Sequence, residues 1–161
     1  MHGGYMKIYF LSILLFLLIP GCDLLTDSSD SSSPLHKSTV IDGIEYSADI
    51  PTDIFSVLDT LRISFNVTNH TLSPKEFNFG NMQQLCFQLK DKYGRVAISY
   101  PFIVQPATSR FGLAPGETRE LTLRSPFKDH TGRYIDRGYY TLNVSLADGN
   151  SPKIDLTILI Q

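Results

Sequence analysis

The sequence has 161 residues, 42% hydrophobic and 19% charged, the profile of a globular chain long enough for one domain and a leader. The formal net charge is −2, and removing residues 1–21 takes away Lys7 and no acid, leaving −3. That balance excludes the basic surface of a nucleic-acid binder. The two cysteines, Cys22 at the end of the leader and Cys86 beyond it, exclude a disulfide framework.

Lys7 precedes an apolar run from Ile8 to Ile19, broken by Ser12 and softened by Tyr9. A bilayer span takes about 20 apolar residues. This run falls short of that and matches the core of a signal peptide. Met6-Lys7 makes a more usual start than Met1-His2-Gly3-Gly4, so translation is expected to begin at Met6.

The run ends in Leu18-Ile19-Pro20-Gly21-Cys22. This stretch resembles the bacterial lipobox: an aliphatic residue at Ile19, a small one at Gly21, then the cysteine, with Pro20 where Ala or Ser is commoner. The thiol accepts the acyl group, and the small residue lets the peptidase approach. The resemblance implies a signal peptide over residues 1–21, cleavage before Cys22 and diacylglyceryl on Cys22. It also implies a protein held on a bacterial membrane, at the periplasmic or extracellular side of the cell envelope. Each buried methylene contributes about 0.8 kcal/mol, so two or three long chains anchor stably. Asp23 tilts the expectation toward the inner membrane. Residues 22–39 are expected to form a tether, Ser- and Asp-rich between Thr26 and Pro34.

A single domain is expected over residues 40–161, with a pattern of period two. Asp42-Gly43 signals a turn. Ile44, Tyr46, Ala48 and Ile50 alternate with Glu45, Ser47 and Asp49, and Pro51 stops the strand. Phe55, Val57 and Leu58 are expected to cover an edge. Leu61, Ile63, Phe65 and Val67 alternate with Arg62, Ser64, Asn66 and Thr68, the cleanest strand in the chain. Phe77 and Phe79 follow, then Leu85, Phe87 and Leu89, a turn at Asp91-Lys92-Tyr93-Gly94, and a return strand over Arg95–Ser99. Phe102-Ile103-Val104 is a short apolar piece. Leu113-Ala114-Pro115-Gly116-Glu117 is a tight turn, with Gly116 free to take positive φ. Leu121 and Leu123 share a face, and Phe127 to Asp136 reads as a polar loop. Tyr140, Leu142, Val144 and Leu146, the Asp148–Pro152 turn, and Ile154, Leu156, Ile158 and Ile160 close the domain. No helical spacing competes, so an all-β, antiparallel β-sandwich is expected.

Four pieces between Leu61 and Leu146 carry a family resemblance. They are Phe65-Asn66-Val67-Thr68-Asn69, the hairpin Phe87 to Val96, Leu113-Ala114-Pro115-Gly116-Glu117, and Gly138-Tyr139-Tyr140-Thr141-Leu142. Their layout resembles the BsuPI domain, the intracellular proteinase inhibitor family. The resemblance implies an immunoglobulin-like sandwich and, for function, inhibition of a serine protease.

The residues themselves favour binding over catalysis, and no cofactor or metal is expected. There is no Gly-x-Ser-x-Gly elbow and no phosphate loop. His70 and His130 lack metal-ligand spacing. Asp129-His130, beside Lys128 and Arg133, can be drawn as an acid–base pair but reads better as a solvated loop. Cys86 is out of phase with Leu85, Phe87 and Leu89, which places it half covered on the opposite face as an inert small residue. The sequons at Asn66, Asn69 and Asn143 read as ordinary strand and turn usage. Substrate-like inhibition needs rigid exposed loops with aromatic or Arg anchors. The candidate protein-binding loop is Tyr100, Pro101, Phe102, Arg110 and Phe111, drawn from Tyr100-Pro101-Phe102 and Pro106 to Phe111. The competing reading, favoured for Phe102 and Phe111, is that these aromatics cap the open end of the sandwich. The alternatives are a non-inhibitory structural or adaptor module of an envelope assembly, and a small-ligand or carbohydrate site among surface tyrosines.

Overall fold

The computed structural model describes residues 32–102 and 106–161. The expected leader, the start at Met6, the lipidation at Cys22 and the Ile103-Val104 piece lie outside the described residues. Ser31–Gln161 forms one compact unit.

Among the described residues the structure is all-β. In chain order the strands are β1 (Leu35–Ile41), β2 (Ile44–Ile50), β3 (Ile54–Phe55), β4 (Thr60–Asn69), β5 (Lys75–Phe79) and β6 (Leu85–Asp91). They continue with β7 (Val96–Tyr100), β8 (Ser109–Leu113), β9 (Thr118–Pro126), β10 (Gly138–Leu146) and β11 (Ile154–Ile160). One sheet runs β1-β2-β4-β9 and the other β3-β11-β10-β6-β7, with β5-β8 as a separate pair. Every pairing is antiparallel except β3 against β11. This is the expected antiparallel β-sandwich.

The alternation explains why the sheets close on each other. Leu61, Ile63, Phe65 and Val67 from β4 are buried in the same core as Phe87 and Leu89 from β6, and Leu142 and Val144 from β10. Each such side chain contributes about 1.5–3 kcal/mol by leaving water. The turn at Ala114–Glu117 forms as expected: Glu117 N donates to Ala114 O at 3.0 Å, and Gly116 takes φ +76°.

The structure departs from the sequence reading in four places. Strand β1 begins at Leu35, ahead of residue 40, and pairs with β2 from Leu35↔Ile50 to Ile41↔Ile44. Its exposed polar residues show no alternation, but they pair across: His36 Nδ1 meets Asp49 Oδ1 at 2.6 Å, and Lys37 Nζ donates to Asp155 O at 3.0 Å. Leu58 covers no edge and stands exposed, whereas Phe55 is core. Phe127 belongs to the core and not to a polar loop; it packs edge-on against Phe55 with centroids 5.3 Å apart. Finally, the short strand with Phe77 and Phe79 joins neither main sheet, because β5 pairs with β8 alone.

The two ends of the sandwich differ. At one end the described chain enters, and Ser33 N donates to Asp53 Oδ1 at 2.7 Å. Asp53 O in turn accepts from Leu159 N at 2.8 Å, and Val57 N donates to Gln161 O at 2.9 Å. The pairs Thr60↔Pro126, Gly138↔Ile160 and Tyr140↔Asp91 bring the β6–β7 turn and the β9–β10 loop to this same end. The opposite end holds the turns at Asp42-Gly43, Asn69–Pro74, Ala114–Glu117 and Asp148–Pro152. There Asn69 is fully buried and fully used. Its amide donates to Ser73 O at 2.8 Å and Leu113 O at 3.1 Å, and its Oδ1 accepts from Thr71 N at 3.0 Å and Thr71 Oγ1 at 2.7 Å.

Candidate functional site

The expected loop residues separate into surface and core. Tyr100 ends the edge strand β7 and keeps 38% of its surface exposed, its ring stacked on Phe87 at 6.1 Å. A cis peptide joins it to Pro101. Phe102 is 63% exposed and lies against the imidazole of His130 at 5.7 Å. Arg110, opposite Asn78 in the β5–β8 pair, is exposed. Phe111 is core: Phe77 and Phe79 stack on it at 4.8 and 5.5 Å, and the Arg119 guanidinium covers it at 4.7 Å. It is therefore unavailable as a surface anchor. Tyr100, Pro101 and Phe102 remain at the surface together, and Arg110 stands exposed on the separate β5–β8 pair. A cleft of about 410 Å³ runs between β7 and the end of β9, lined by Ser99, Tyr100, Phe102, Lys128 and His130.

One structural device is not anticipated by the sequence reading. Asp91-Lys92-Tyr93-Gly94-Arg95 and Asp129-His130-Thr131-Gly132-Arg133 are one turn built twice. In the first, Asp91 Oδ1 accepts from Tyr93 N at 2.9 Å and Arg95 N at 3.0 Å, while Arg95 Nε donates to Oδ2 at 2.7 Å. In the second, Asp129 Oδ1 accepts from Thr131 N at 2.8 Å, Thr131 Oγ1 at 2.6 Å and Arg133 N at 3.1 Å. Both glycines take positive φ, +78° and +83°. The signal that could have found the pair is Asp-x-x-Gly-Arg at both places. A cleft of about 580 Å³ separates the loops, lined by Asp91, Arg95, Asp129, Arg133, Tyr134 and Asp136.

These contacts decide the chemistry of Asp129-His130. The Thr131 hydroxyl, backed by the amides of Arg133 and Thr131 against a smaller opposing effect of burial, holds the Asp129 carboxyl below its usual range. For Asp91, burial pulls upward, but the Arg95 side chain and the backbone amides of Arg95 and Tyr93 outweigh it and lower the value. Both carboxylates are held as turn staples, and His130 faces Phe102, not Asp129. Elsewhere, His70 Nε2 meets Glu45 Oε2 at 2.8 Å and lowers the Glu45 carboxyl. Among the described residues, no group of three or more His, Cys, Asp or Glu is placed to hold a metal ion.

Cys86 is half-buried on the outer face of β6, its Sγ 3.3 Å from Ser145 Oγ and 3.4 Å from Ser145 O. Of the sequon asparagines, Asn69 is sealed inside its turn, and Asn66 and Asn143 bond Asp49 and Asp155.

No protein-family model and no curated protein matches the chain. Among solved structures, it is similar to a β-glucosidase from Listeria innocua at 14% identity and TM-score 0.43, covering 81% of this chain and 16% of that one. It is similar to the alkylpurine DNA glycosylase AlkC of Pseudomonas fluorescens at 12% identity and TM-score 0.48, covering 70% and 28%. The CARDB domain of the PF1109 protein of Pyrococcus furiosus is 10% identical at TM-score 0.37, covering 81% and 87%. This chain thus spans a small part of the two enzymes, and none of these likenesses assigns it an activity.

Proposed function

We propose that this chain is a lipid-anchored lipoprotein of the bacterial cell envelope whose β-sandwich binds a protein partner. The binding residues are Tyr100, Pro101, Phe102 and Arg110. The observation that carries this reading is the exposure of Phe102 beside Tyr100 at the end of an edge strand, above a cleft. Exposed aromatic and Arg side chains are those that dominate protein interfaces. The resemblance to the BsuPI family makes a serine protease the first partner to test.

The test is an inhibition assay with residues 32–161, shown to be folded by a cooperative thermal transition, against subtilisin-like and trypsin-like enzymes. The expected result is saturable inhibition with the domain left uncut, weakened by Phe102→Ala and Arg110→Ala without loss of folding. No inhibition across the panel removes the inhibitor reading. Crosslinking from position 102 to an envelope protein would then support the adaptor alternative. Mass spectrometry of the mature amino terminus tests the anchor separately, by an acyl-modified Cys22.

A further inference from the structure

The described chain enters the sandwich at the end that carries the two matched Asp-x-x-Gly-Arg turns. Ser33 is tied there to Asp53, and Asp53 to Leu159. The same end has the composition of a membrane-interface surface. Tyr93, Tyr139 and Tyr134 are 71%, 66% and 47% exposed, and Leu58 also stands out to solvent. Tyrosine is the side chain that settles at headgroup depth, with an apolar body and a polar tip.

Cations accompany the rings. Lys92 Nζ and the Arg95 guanidinium lie 5.0 and 5.2 Å from the Tyr93 centroid, and Lys128 Nζ lies 4.6 Å from that of Tyr134. With Arg133 and Arg137 they make five cations on two neighbouring loops, against Asp91, Asp129 and Asp136. Asp91 pairs with the Arg95 guanidinium at 2.6 Å, and Asp129 lies 3.9 Å from Arg133 Nε, so the surplus of positive charge on these loops falls on Lys92, Lys128 and Arg137 against Asp136. Asp53 and Asp59 lie on the β3 side of this end, accepting from Ser33 N and Ser56 N. The opposite end carries Asp42, Glu117 and Asp148 in its turns.

We propose that this end docks on the anionic surface of a bilayer. Lys92, Arg95, Lys128, Arg133 and Arg137 meet lipid phosphates, while Tyr93, Tyr134, Tyr139 and Leu58 sit at the headgroup level. The proposal rests on the anchor at Cys22. From Cys22 to Leu35 the chain reaches at most about 45 Å. It holds the domain at an effective concentration on the order of millimolar, so a weak surface attraction suffices. Docked this way, the domain stands upright, with Asn69 and Asp148 farthest from the lipid.

The chain has no Trp, so one introduced indole reports alone. Tyr139→Trp and, separately, Leu72→Trp at the far end are placed in the full-length protein. Each is purified after expression in a bacterium and reconstituted in phosphatidylglycerol–phosphatidylcholine vesicles brominated high on the acyl chains. The expected result is a blue-shifted, quenched probe at position 139 and an unquenched one at position 72. The difference is lost in phosphatidylcholine alone and in the triple variant Lys92→Glu, Arg133→Glu, Arg137→Glu. Loss in high salt on the unreversed background gives the same reading without relying on the triple variant's fold. Equal emission from the two probes on acylated, vesicle-bound protein overturns the docking surface and leaves the anchor intact. Absence of acyl on Cys22 overturns the anchor. Unacylated protein added to an excess of phosphatidylglycerol vesicles then decides the surface by the same probe.

Discussion

Single residues show how far burial, and not residue type, sets roles in this domain. Phe102 and Phe111 are nine positions apart and read alike in sequence, yet one faces solvent and the other is stacked between two phenylalanines. Phe111→Ala is expected to cost about 3–4 kcal/mol of stability, the range for emptying a buried aromatic site. Phe102→Ala should cost less than about 1 kcal/mol, as surface changes do. Urea unfolding of the two variants checks the contrast. Asn69→Ala should cost about 2–3 kcal/mol, because Leu113 O loses its donor in a place water does not reach. The two staple aspartates give the pH dependence its sign. Their folded values lie below the usual carboxylate range, so their contribution is complete above about pH 4 and is lost as pH falls through the lowered values. Asp129→Asn should flatten the acid limb of a plot of thermal midpoint against pH by lowering the neutral plateau toward the acid value.

At the level of strands and turns, alternation made most of the sandwich readable, and its failures have physical causes. β4, β6 and β11 each bury every second residue, as β10 does up to Val144, so their faces follow from period two. β1 buries almost nothing and is held by pairing with β2, which leaves no hydrophobic trace. Phe127 follows the end of a strand, where alternation no longer predicts inside from outside. The β5–β8 pairing joins segments thirty-odd residues apart, and nothing local announces it. In the candidate loop the sequence pattern marked an aromatic, Pro-rich segment, but only the packing of β5 on β8 decides that Phe111 points inward while Phe102 stays exposed. Two glycine turns give a matched comparison. Gly116 and Gly43 both have positive φ, near +75°, but a Cβ at Gly116 meets nothing within 4 Å, while one at Gly43 meets Thr71 Cγ2 at 2.7 Å. Thr71 is held in place by its bonds to Asn69 and Ser73. Gly116→Ala should therefore cost about 1 kcal/mol from backbone strain alone, and Gly43→Ala clearly more. Thermal denaturation orders the two.

For the whole molecule, the sheets define where opening begins. β4 and β10 are paired on both sides and bury their inner faces, whereas β1, β7 and the β5–β8 pair lie at margins. Amide exchange should be slowest over Leu61–Val67 and Tyr140–Leu146, and fastest in β1 and β7. Mass-spectrometric exchange of residues 32–161 tests this ranking, and equal protection of β7 and β10 would contradict it. The candidate binding residues thus ride on margins that open more readily than β4 and β10.

The Ser33–Asp53–Leu159 link has one more consequence. It brings the first described residues and the last strand together on one side of the fold. The order in which the strands are threaded is then separable from the way they pack. A short Gly-Ser bridge from Gln161 to Ser33, with new ends opened in the Asp148–Pro152 turn, keeps every strand pair while rewiring the chain. Such a circular permutant should fold to the same sandwich, with its tether leaving from the opposite pole.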